Sequence, residues 1–144
     1  MMCRRLSYIL SLLLALCVVA CGSGNHTVEM HDTEARVWSE AEDFTYENSD
    51  TLYRRNISIT VRYDGDYVAS EVPMKILTIS PDSMVLEEDF TLRIPHLADM
   101  RPEEHTFVYR TGVVLKRSGE YHFRLTPMIP VQGIASVGII VDEK

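Results

Sequence analysis

The side chains in this sequence that could do chemistry are five histidines, several runs of carboxylates and a handful of aromatic rings. His26 and His31 stand five apart, a spacing that suits a shared face of neither a helix nor a strand, and His96, His105 and His122 have no histidine partner nearby. No His-Glu-x-x-His or Cys-x-x-Cys spacing occurs, and Glu103-Glu104-His105 is a weak cluster, so the pattern implies no metal site and no cofactor. Two carboxylates about 5–10 Å apart can hydrolyse a glycoside. Glu87, Glu88, Asp89, Glu103 and Glu104 are the candidates, but acid runs of this kind usually solvate turns. There is no Gly-x-Ser-x-Gly elbow and no glycine-rich phosphate loop. Trp38, with Tyr53, Tyr63, Tyr67, Tyr109 and Tyr121, could line a face on which sugar rings stack. Tyr63 and Tyr121 fall on apolar faces and read as core, while Trp38 and Tyr67 lie outside clear alternation and stay open. These residues favour a binding or structural protein over an enzyme and identify no small-molecule substrate.

The elements that would position these groups are strands. In Ile57-Ser58-Ile59-Thr60-Val61-Arg62-Tyr63 the apolar residues share one face and the polar ones the other, as in a strand buried on one side. Asp64-Gly65-Asp66 follows as a turn, with Gly65 able to take positive φ. Residues 72–80 are apolar on both faces, which suggests a central strand or a bulge near Pro73, and Pro81-Asp82-Ser83 closes it. Phe90, Leu92 and Ile94 alternate up to Pro95. Residues 96–105 read as the longest irregular stretch, and 106–109 and 112–115 resume extended character. Ser118-Gly119-Glu120 then joins 113–116 to 121–125 as a hairpin, and Val137, Ile139 and Val141 mark the last strand. No run of ten or more residues has a 3.6 period. The reading is therefore all-β: seven or eight strands over residues 35–144 in a single antiparallel β-sandwich, jelly-roll or Ig-like.

The N-terminus is of another kind. Arg4 and Arg5 precede an apolar run at 9–20 broken only by Ser11, and the run ends at Cys21. This is the pattern of a signal peptide, too short for the ~20 residues a spanning helix needs. Val18-Val19-Ala20-Cys21 resembles the bacterial lipobox, which makes residues 1–20 a lipoprotein signal peptide and Cys21 the lipidated N-terminus. The alternative is a spanning anchor, or a secretory signal with an incidental cysteine. Residues 21–34, polar and without a sustained period, read as the lipidated cysteine and a flexible tether.

Composition changes meaning at that boundary. The whole chain of 144 residues carries 14 Lys plus Arg against 21 Asp plus Glu. Removing residues 1–20 takes two arginines and no acid, leaving 124 residues with a net charge of −9. A chain so acidic is not a nucleic-acid binder that works by neutralising phosphates. Cys3 and Cys17 leave with the signal peptide, so Cys21 is the mature chain's sole cysteine and neither a disulfide nor a cysteine-ligated metal is available. Asn25-His26-Thr27 and Asn56-Ile57-Ser58 match the N-glycosylation pattern, which carries little meaning in a bacterial lipoprotein. Asp50-Thr51-Leu52 and Asp82-Ser83-Met84 look like short O-glycosylation sites of exported Bacteroidetes proteins.

The most specific signal is in the C-terminal third. Leu115-Lys116-Arg117-Ser118-Gly119-Glu120-Tyr121-His122-Phe123 continues through Met128 to Gln132-Gly133-Ile134-Ala135-Ser136-Val137-Gly138. This resembles the end of the gliding-motility-associated lipoprotein H family of Bacteroidetes, which closes with a Ser-Gly-x-Tyr-x-Phe hairpin, a Met-containing loop and Gly-Ile-x-x-Val-Gly. Trp38, Tyr53, Arg62-Tyr63, Tyr67 and Pro81-Asp82 resemble its first half less tightly. The residues that carry the motif are Gly119, Tyr121, Phe123, Met128, Gly133, Ile134, Val137 and Gly138. They read as structural: Gly119 permits a turn, Tyr121 and Phe123 fill the core, and Gly133 and Gly138 allow close backbone approach or a bulge. The resemblance implies an envelope lipoprotein without enzymatic activity, held to a membrane through Cys21 and working with envelope protein partners in a motility or secretion-type assembly. Export signals of surface lipoproteins in this phylum are acids just after the cysteine, and Gly22-Ser23-Gly24-Asn25 has none, which favours the periplasmic face. The competing expectation is a surface or periplasmic glycan- or ligand-binding module.

Overall fold

The computed structural model describes residues 26–143. Residues 1–20, read as a signal peptide, and Cys21 lie outside them. Ten strands follow one another: β1 (His26–Asp32), β2 (Val37–Trp38), β3 (Glu42–Asn48), β4 (Arg54–Tyr63), β5 (Val72–Ile79), β6 (Val85–Leu92), β7 (Glu103–Val114), β8 (Gly119–Pro127), β9 (Val131–Gln132) and β10 (Ile134–Glu143). One four-stranded sheet has the order β1-β10-β4-β7 and the other β3-β8-β5-β6, with β2 and β9 forming a separate short pair. Every pairing is antiparallel.

The two sheets face each other across one core. Ile57, Ile59, Val61 and Tyr63 of β4 and Val137, Ile139 and Val141 of β10 meet Phe44 and Tyr46 of β3, Met74 and Ile76 of β5, and Tyr121, Phe123 and Leu125 of β8. Period-two alternation puts these residues on the inner faces, and burying each aliphatic side chain contributes about 1.5–3 kcal/mol. The strand pairs nest: β1 with β10, β2 with β9, β3 with β8, β4 with β7 and β5 with β6. The chain is one long hairpin turned at residues 80–84 and rolled so that β10 meets β4 and β8 meets β5. Eight strands in two sheets wound this way make a jelly roll.

Four parts of the sequence reading are corrected. Residues 26–32, read as tether, are a strand hydrogen-bonded along β10. Their polar character belongs to an edge strand that is only half covered, where charge discourages pairing with other chains. Gly119 does not turn a hairpin, because β7 pairs with β4 in one sheet while β8 pairs with β3 and β5 in the other. Residues 115–118 cross between sheets, since alternation fixes which face a residue takes but not its partner strand. The segments 106–109 and 112–115 belong to one strand with register shifts, and β7 already begins at Glu103. Gly65 has no positive φ. A Cβ there would overlap the end of the exposed, flexible Met100 side chain, which could swing aside.

Candidate functional site

Strand direction divides the loops between two ends. His26 is level with Asp142, Asn56 and the start of β4, so the chain emerges from its N-terminal segment at what we term the proximal end, with loops 49–53, 80–84 and 115–118. The distal end gathers the other four connections, at 33–41, 64–71, 93–102 and 128–133. The β2–β9 pair lies there, joining the connection from β1 to β3 with that from β8 to β10.

The distal loops are locked together around Gly133, whose φ of +81° suits glycine and where a Cβ would overlap the backbone nitrogen of Tyr67. Asp64 N–H donates to the Gly133 carbonyl, and Gly133 N–H to the Arg36 carbonyl, each at 3.0 Å. Thr33 Oγ1 donates to the Ile134 carbonyl. Arg36 reaches back to Asp64 at 2.9 Å, the carboxylate buried and the guanidinium side chain 66% exposed. Asp64 also accepts the Asp66 N–H, closing the turn. Ala35 and Arg36 both hold positive φ, 50° and 58°, a strained backbone of the sort that persists only where its surroundings enforce it.

A depression of about 360 Å³ lies over this cluster, with Arg36, Val37, Asp66, Val68 and Gln132 in its wall. A second, of about 200 Å³, lies between Tyr67, His96, Asp99 and Met100. Val68, Met100, Met128 and Ile129 are exposed around this end, Val68 by 78% and Met100 by 70%. The site offers an apolar rim and fixed backbone, with the exposed cations Arg36, Arg93 and Arg101 on its loops.

The other candidates are dispersed. Glu87 pairs with Lys75 on the outer face of the second sheet, whereas Glu88 turns the other way, to Tyr109 and Arg110 of β7. The Tyr109 hydroxyl, then burial opposing it, then Arg110 leave Glu88 below the usual carboxylate range, the reverse of what a general acid needs. Burial first and Glu88 second push Tyr109 up to about 12. Glu104 pairs with Arg62 of β4. Among the described residues, no three His, Cys, Asp or Glu side chains are grouped to hold a metal ion. His26 bonds Asp142, His122 pairs with Glu120, and His31 lies between Glu29 and Glu42. Trp38 and Tyr67, open on sequence, are buried along with Tyr63 and Tyr121, so these four cannot form an exposed stacking platform.

Of the motif residues, Tyr121, Phe123, Ile134 and Val137 are buried, and Met128 is 46% exposed at the distal end. Gly119 has φ +115° and faces Pro81. At Gly138 a Cβ would come within 2.5 Å of Met30 Cγ and 2.6 Å of the Glu29 carbonyl oxygen, so β1 lies directly against it. Arg55 was missed on sequence. It is fully buried, donates to the Tyr46 hydroxyl at 2.8 Å and the Tyr53 carbonyl at 3.1 Å, and meets Glu143 at 3.4 Å. Its signal was parity: Arg55 stands two before Ile57, on the apolar face of β4.

No protein-family model and no curated protein matches the chain. Solved structures with detectable likeness include the infectious bursal disease virus Gx strain (12% identity, TM-score 0.36), covering 83% of this chain and 32% of that one. The Yersinia pseudotuberculosis-derived mitogen is 8% identical with a TM-score of 0.35, covering 83% and 86% of the two chains. Dimeric latent PorU from Porphyromonas gingivalis is 8% identical with a TM-score of 0.32, covering 83% and 13%. The chain thus spans about a third of the viral protein it matches.

Proposed function

We propose that this protein is a lipid-anchored envelope lipoprotein that acts without catalysis, as an accessory component of an envelope assembly, through protein contact at its distal end. The observation that carries the reading is the distal loop cluster: a rigid backbone core around Gly133, ringed by exposed Val68, Met100, Met128 and Ile129. Apolar side chains held out by a fixed frame suit a protein partner, since little ordering is lost on binding. The lipobox-like Val18-Val19-Ala20-Cys21 and the resemblance of residues 115–141 to the lipoprotein H family support the anchor and the envelope setting. No helix among the described residues is long and apolar enough to cross a membrane. Two or three acyl chains on Cys21 would supply membrane attachment, at about 0.8 kcal/mol per buried CH₂.

The test is affinity capture of the tagged full chain from crosslinked envelopes, beside Cys21→Ala and a Val68→Asp/Ile129→Asp double variant. The expected result is one or more envelope proteins that disappear with both. Recovery of none above the Cys21→Ala background contradicts the reading.

A further inference from the structure

The proximal end carries its own exposed apolar side chains: Leu52 is 85% exposed, Met84 69%, Val85 62% and Tyr53 56%. They stand on loops tied together. Asn48 donates to the carbonyls of Leu115 and Arg117, at 2.9 and 2.7 Å, and Arg117 pairs with Asp82 at 2.8 Å. The Leu52 turn is itself fixed, because the Asp50 carboxylate accepts the N–H groups of Leu52 and Tyr53 and the Tyr53 carbonyl is held by buried Arg55. Leu52 is therefore projected from a built turn rather than left on a loose one.

Chain length says what lies next to it. His26 is five residues after Cys21, and a fully extended chain spans at most about 3.6 Å per residue, or ~18 Å. The headgroup layer occupies ~6 Å of that on each side of a bilayer. The distal end lies a further ten residues of β10 away, ~33 Å at strand rise, so the leash is too short for the sandwich to stand on its distal end. Aromatic and aliphatic side chains at headgroup level are stabilised there, and Arg54 and Lys116 beside them are exposed to meet phosphates.

We propose that the proximal end is a lipid-contact surface, with Leu52, Tyr53 and Met84 seated in the headgroup layer of the membrane that holds Cys21, so that the sandwich stands upright with its distal loops outermost. This rests on acylation of Cys21. The sulfur is then a thioether, and a cysteine introduced elsewhere is the single reactive thiol. Full-chain lipidated Leu52→Cys, Met84→Cys and Ile129→Cys, each labelled with an environment-sensitive fluorophore, are placed in phosphatidylethanolamine/phosphatidylglycerol vesicles with and without brominated acyl chains. The expected result is at least about twofold quenching at positions 52 and 84 and none at 129. Equal quenching at all three, or none at 52 and 84 in protein that pellets with the vesicles, overturns the proposal. So does a sugar on Thr51 or Ser83 in the intact mass, which would hold these loops off the lipid. Protein with Cys21 intact that stays out of the vesicles overturns the anchor itself, and this proposal with it.

Discussion

Arg55 and His31 show what single residues do in this fold. Arg55 sits among core side chains and donates to the Tyr46 hydroxyl, the Tyr53 carbonyl and Glu143. Removing this fully buried side chain leaves a cavity among core residues and takes the partner from the buried Tyr46 hydroxyl, at a cost of about 3 kcal/mol or more. Arg55→Ala should therefore lower unfolding free energy by about that amount in urea titration, and Tyr46→Phe, which leaves the buried Arg55 Nε–H without its acceptor, should cost about 1.5–3 kcal/mol. His31 ties β1 to β3: its ring stacks on Phe44 at 4.5 Å and bonds Glu42 at 3.0 Å and Glu29 at 3.2 Å. Burial pulls its pKa down, but the bonds to Glu42 and Glu29 and their charges outweigh burial and raise it. A raised histidine pKa favours the folded state most below the unfolded value of about 6.5, and that contribution is lost as pH rises through the folded value. The urea midpoint should fall between pH 6 and pH 8, and His31→Gln should flatten that part of the profile.

Strands at the sheet edges decide how the roll closes. On one side β1 meets β3 through His31–Glu42 and through Glu29, which accepts the Thr45 N–H at 3.0 Å. On the other, β6 meets β7 through Glu88 with Tyr109 and Arg110, and Phe90 lies edge-on to Tyr109 at 5.6 Å. Both closures use charged groups on edge strands, which also keeps those edges from recruiting other chains. β1 depends on the absence of a side chain at Gly138, since Met30 and the Glu29 carbonyl fill that space. Gly138→Ala should lift β1 from β10 and speed amide exchange of residues 27–31 at least about tenfold, with the amides of β5 and β8 in the other sheet unchanged. Uniform acceleration in all strands would contradict a local role for Gly138. β1 was illegible in the sequence for the same physical reason that it works as an edge: half covered and polar, it lacks the apolar alternation that exposed β4 to reading. β3 carries that alternation, in Phe44, Tyr46 and Asn48, and its last inward position is a buried asparagine.

Across the whole molecule, the sequence conveyed class more readily than winding. Short alternating segments and the absence of any helical period were enough for an antiparallel β-sandwich. The nesting of β1 with β10, inward to β5 with β6, depends on contacts between residues as far apart as 116 positions, and no local period encodes them. The site was legible only in part. Gly133 and Met128 stood out as motif residues, but the distal cluster needs Arg36 from one other stretch and Asp64 and Tyr67 from a second, and the exposure of Val68 and Ile129 is a property of the finished surface. The fold places His26, the first described residue, at one end and this cluster at the other, and the functional proposal depends on that polarity. The most direct test is photo-crosslinking in living cells from a probe at Ile129, beside one at Val108 on the outer face of β7. The account predicts a discrete envelope-protein adduct from position 129, absent from 108 and lost in Cys21→Ala. No adduct at 129, or the same adducts from both positions, would contradict it.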